Sequence, residues 1–70
     1  MAEEQWRHVT AAEVQPGERV RLESGEELIA TRIEVAFMGR EEMLAFIEDT
    51  PQRWYKRPAR TTANVEVLRG

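Results

Sequence analysis

The chain has no cysteine, a single histidine, a single serine and four glycines that stand apart at positions 17, 25, 39 and 70. Without thiols there is no disulfide and no thiolate metal site, and a reducing cytoplasm is the predicted compartment. His8 has only carboxylates as conceivable co-ligands, so no metal is expected. Ser24 precedes Gly25 without the Gly-x-Ser-x-Gly context of an activated nucleophile. Isolated glycines build no phosphate-cradling loop, so no cofactor is expected either. No apolar run approaches the eighteen or so residues of a membrane span. The start, Met1-Ala2-Glu3-Glu4, is acidic where a signal peptide would be basic, so a soluble chain is expected.

What is present is one small domain. Seventy residues, of which residues 1–5 are polar and expected to be frayed, bury only about 60% of the surface an unfolded chain of this size exposes. Twenty large apolar side chains, leaving Met1 aside, must supply the core. Ten basic residues against thirteen acidic ones give a net charge of -3, which argues against a dedicated nucleic-acid coat and leaves room for a local basic patch.

The clearest pattern runs from Pro16 to Phe37. Val20 and Leu22 share one parity, and Ile29, Thr31, Ile33, Val35 and Phe37 share another, with charged residues filling most of the alternate positions. Between the two runs, Glu23-Ser24-Gly25-Glu26 holds a glycine able to take the positive φ of a tight hairpin. An amphipathic helix also fits part of this stretch, through Ser24 and Glu27 at capping spacing and Ile29, Ile33, Ala36 and Phe37. The strand is preferred because four of the seven residues from Ile29 to Val35 are β-branched. On this parity Leu28 and Leu68 face outward, where with Met38 or Tyr55 they could form a self-association patch, unless a bulge returns them to the core.

Trp6 to Val9 reads as an extended lead-in with Trp6 as its anchor. Thr10 to Val14 reads as a helical or 3₁₀ turn capped by Thr10 and ended by Pro16-Gly17. Met43 to Ile47 is an unbroken apolar run, read as a central strand, with a short helix as the alternative. Asp49-Thr50-Pro51-Gln52 is a turn, Pro58 to Ala63 a connector, and Val65, Val67 and Leu68 a last strand. The predicted fold is all-β: five short antiparallel strands near 18–23, 27–37, 42–49, 52–57 and 64–69 in a partly open small barrel, with a short N-terminal turn.

This order resembles the Src-homology-3-like small barrels, the class that includes KOW and Tudor modules. The likeness spans residues 14–69 and rests on Val14-Gln15-Pro16-Gly17-Glu18-Arg19-Val20, the Ser24-Gly25 hairpin and the long second strand. It implies a binding scaffold and names no partner.

The one candidate site is Arg53, Trp54, Tyr55, Lys56 and Arg57, with Arg60 beyond it. Cations beside aromatics are what phosphate contact and base stacking require. The plainer reading is a core or rim aromatic whose neighbouring cations face acids such as Glu48 and Asp49. The acidic pairs Glu3-Glu4, Glu26-Glu27, Glu41-Glu42 and Glu48-Asp49 read as solvated, edge-protecting charges. The expectation is a non-enzymatic module that binds a protein or itself. Nucleic-acid binding through residues 53–60 is the alternative. An enzyme would need a cavity joining His8 to Glu48 or Asp49.

Overall fold

The computed structural model describes residues 5–69. Residues 1–4, expected to be frayed, lie outside them. Gln5 does not fray: its carbonyl accepts the Arg69 N–H at 2.9 Å.

Seven strands and one 3₁₀ turn make up the described residues. They are β1 (Trp6–Thr10), the turn (Ala11–Glu13), β2 (Arg19–Arg21), β3 (Glu27–Ile29), β4 (Arg32–Met38), β5 (Glu41–Asp49), β6 (Trp54–Arg60) and β7 (Asn64–Leu68). Two antiparallel sheets result, in the orders β1-β7-β2-β3 and β4-β5-β6. The all-β class follows the alternation in the sequence, but the strand count does not.

The predicted long strand 27–37 is divided at Ala30-Thr31, and the division has a physical cause. The Ala30 amide and carbonyl are both bonded to the Gly17-Glu18 backbone, at 2.8 and 2.7 Å, which ties residue 30 to the first sheet. One residue later the Thr31 hydroxyl donates to the Ile47 carbonyl at 3.0 Å and accepts the Asp49 N–H at 2.9 Å, continuing the second sheet's ladder with a side chain. The inward parity changes there. Leu28 and Ala30 are buried in the core, whereas beyond the break Ile33 packs against it. Leu28 is therefore not outward-facing, and the patch proposed around it does not form. Leu68 is half-buried opposite Trp6, on the outer face of the first sheet. The Arg21 guanidinium stacks 3.9 Å over the Trp6 ring, so Trp6 is anchored outside and does not cover an end of the core.

Other local readings hold. Thr10 starts the 3₁₀ turn, and Glu13 reaches back to accept its N–H at 3.3 Å and its hydroxyl at 2.8 Å. The hairpin between β2 and β3 turns on Gly25 at φ 91°, with the Leu22 N–H bonded to the Glu26 carbonyl at 2.8 Å. The apolar run 43–47 is the centre of β5, itself the middle strand of its sheet. Leu44 and Phe46 join Val20, Leu28, Val65 and Val67 in the core between the sheets. Ala45 and Ile47 are buried on the other face of β5, where Arg32 and Lys56 flank Ile47 in register and their alkyl stems can cover it.

The predicted connector 58–63 is a strand through Arg60. Proline is tolerated there because β6 is an edge strand and Pro58 is in register with Ala45 at a position where neither residue's backbone faces the other. The phase is set by Thr31, whose bonds show that the odd-numbered residues of β5 turn their backbone groups toward β4.

Candidate functional site

Along β6 exposure alternates residue by residue. Trp54, Lys56 and Arg60 point outward, and Tyr55 and Arg57 point toward the first sheet. The six candidate residues, counting Arg53 at the strand's start, are thus split between two environments.

Arg53 is a structural clasp. Its Nε donates to Glu48 Oε2 at 2.7 Å and its Nη2 to Glu48 Oε1 at 3.1 Å, while the same Nη2 donates to the Glu27 carbonyl at 2.8 Å. Glu48 in turn accepts the Ile29 N–H at 2.7 Å. Glu27 C=O and Ile29 N–H are the groups that β3 turns away from β2, so the Arg53–Glu48 pair stands where a further strand would be. Glu48 was expected to be a solvated charge, but it is buried. The Arg53 hydrogen bonds, then the Ile29 N–H, hold its carboxyl below the usual glutamate range against the opposing effect of burial.

Arg57 and Tyr55 are similarly committed. The Tyr55 hydroxyl donates to Glu26, and Arg57 Nε donates to the same carboxylate oxygen at 2.8 Å. Both arginines lie over the Tyr55 ring, Arg57 at 4.2 Å and Arg53 at 4.8 Å from its centre. The phenol is pushed up by the Glu26 hydrogen bond and by burial, and Glu26 is pulled down by Tyr55 and then Arg57. The cluster ties the β2–β3 turn to β6. It leaves no free guanidinium for a phosphate.

On the outward face, Trp54 is 60% exposed. Asp49 is directly opposite it, and Arg60 is 3.3 Å from Glu41. Lys56 has no ion-pair partner among the described residues. This face mixes both charge signs, so it is a poor track for a polyanion.

An open cleft of about 240 Å³ lies between the β2–β3 turn, β6 and the β6–β7 turn, lined by Leu22, Ser24, Arg57, Ala59 and Val65 among others. The Ser24 hydroxyl is bonded within its own turn, 3.4 Å from the Glu26 N–H. His8 lies on the exposed outer side of β1, 3.9 Å from Glu66, and shares no described cleft with Glu48 or Asp49. The set needed for acid–base chemistry is not brought together.

One feature was missed from the sequence. Among the described residues no sheet lies beneath the inward face of β4 beyond Ile33, and Val35 and Phe37 are 61% and 67% exposed. By the same ladder phase, the N–H and C=O groups of Ile33, Val35 and Phe37 point away from β5 to the open edge. The readable signal was three apolar residues at alternate positions with no charge on their face. What could not be read was that they outrun the opposing sheet.

Comparison with protein-family models, with curated proteins and with solved structures found no match to this chain.

Proposed function

We propose that this protein is a non-enzymatic, cytoplasmic protein-interaction module, a Src-homology-3-like small-barrel scaffold that engages its partner through β4. The path of the chain supports the scaffold reading: with β3 and β4 taken as one bent strand, β2, β3–β4, β5, β6 and β7 follow the expected five-strand order, and β1 is an addition. A single observation carries the binding reading. A seven-residue edge strand presents unpaired backbone groups and two exposed apolar side chains on the same residues.

Nucleic-acid binding is the weaker reading, since Arg53 and Arg57 are already in close ion pairs and Trp54, Lys56 and Arg60 share their face with acids. Amide signals of an isotope-labelled sample test both. Fractions of cell-extract protein are expected to shift the signals of residues 32–38. Short single-stranded DNA and RNA are expected to leave the amides and the tryptophan fluorescence unchanged at low salt. Shifts centred on Trp54, Lys56 and Arg60 that fade steeply with salt would reverse the order of the two readings.

A further inference from the structure

Among the described residues four edges bound the two sheets; two of them are blocked, and a third is shorter and charged. The free edge of β3 is occupied by the Arg53–Glu48 pair and by the Thr31 N–H, which bonds the Ile29 carbonyl at 2.8 Å. The free edge of β6 carries Pro58, which has no N–H to offer. The edge strand β1 is five residues long and carries the exposed Arg7 and His8. Among the described residues only β4 is left long, open and apolar on the face of Ile33, Val35 and Phe37. Two blocked edges and a shorter, charged β1 leave β4 as the edge best suited to strand addition.

We propose that the strand added there is β4 of a second copy of this chain, paired antiparallel about Val35 to make one six-stranded sheet across a two-fold axis. This rests on the binding reading above and names its partner. Self-complementarity decides for a second copy. With Val35 on the axis, Val35 faces Val35 and Ile33 faces Phe37 of the second copy, so every residue whose backbone points to the open edge meets another such residue and exchanges both hydrogen bonds. That face is apolar throughout and carries no charge. On the other face Glu34 meets Ala36 of the second copy. A register one residue away, centred on Glu34, would set two glutamates directly opposite one another and would leave Phe37 beyond the paired edge residues.

The contact is one strand wide. A seven-residue strand from each copy is well short of the roughly 20–30 residues a side of a standard interface, so association is reversible and concentration-dependent.

Sedimentation velocity from about 5 µM to about 1 mM tests this, with circular dichroism as the check on folding. The wild-type mass is expected to double with concentration. Val35→Pro is expected to stay monomeric and folded, because the Val35 N–H lies outside the β4–β5 ladder, as the Pro58 nitrogen lies outside the β5–β6 ladder. Val35→Lys, which keeps the N–H and sets like charges opposite each other on the axis, is expected to weaken association at least tenfold. A wild type that stays monomeric throughout would overturn the proposal, and so would a dimer that persists in both variants. If the wild type is monomeric while extract protein still shifts residues 32–38, the second copy is wrong and the binding reading stands. If neither is seen, both are wrong.

Discussion

Replacing Phe46 with alanine is expected to cost about 3 to 5 kcal/mol, the usual range for emptying a phenylalanine site in a packed core. Phe46 is fully buried and is the largest such side chain, on the middle strand of the second sheet and in contact with the apolar residues of the first. A domain of this size has roughly 4 to 10 kcal/mol of stability in total, so the substitution removes about three tenths of it or more. The thermal midpoint should fall by about 12 to 40 °C. The chain carries its own control, since its other phenylalanine, Phe37, is 67% exposed. Phe37→Ala should stay within about 0.5 kcal/mol of wild type for the monomer. Denaturant melts at low protein concentration measure both. Equal losses for the two phenylalanines would mean that the core is not where the fold places it.

The second large effect lies at the clasp. Glu48→Ala leaves the Ile29 N–H without its acceptor and Arg53 without its partner, and should cost about 2 to 3 kcal/mol. Glu48→Gln keeps an acceptor for Ile29 and should cost less. The pH dependence separates charge from packing. Because the folded carboxyl is held below its unfolded value, its stabilisation is complete above the ordinary glutamate range near 4.3 and is lost as pH falls through the folded value. Glu18, held down by Arg69, acts with the same sign. Glu48→Gln should therefore make the acid limb of the stability profile shallower without abolishing it. An unchanged limb would show that the Glu48 charge contributes nothing to the fold.

Local patterns were legible in the sequence because local forces decide them. Gly25 needs a positive φ whatever surrounds it. Met43 to Ile47 reads as a central strand because both of its faces are apolar. The features that escaped depend on what lies across the sheet. Leu28 reads as outward-facing when a two-residue period is extended unbroken through Ala30-Thr31, where a threonine side chain replaces a backbone group in the ladder and the parity changes. Pro58 suggested a connector because nothing local reveals that β6 is an edge. Glu48 looked solvated because its burial depends on β3, nineteen residues away, and on Arg53. The basic and aromatic segment was legible as a group. Its purpose was not: Arg53, Tyr55 and Arg57 close the gap between the sheets, and the exposed apolar strand lies on the far side of β5.

Hydrogen exchange at single-amide resolution on a dilute, monomeric sample tests the open edge of β4 most directly. The Arg32, Glu34 and Ala36 amides, turned into the ladder with β5, should exchange slowly. Those of Ile33, Val35 and Phe37 should exchange fast, giving an alternation along one strand. Uniform protection from 32 to 37 in the monomer would mean that this edge is covered by the chain itself, and uniform rapid exchange would mean that β4 is not held in a sheet; either result contradicts the fold and the function argued from it.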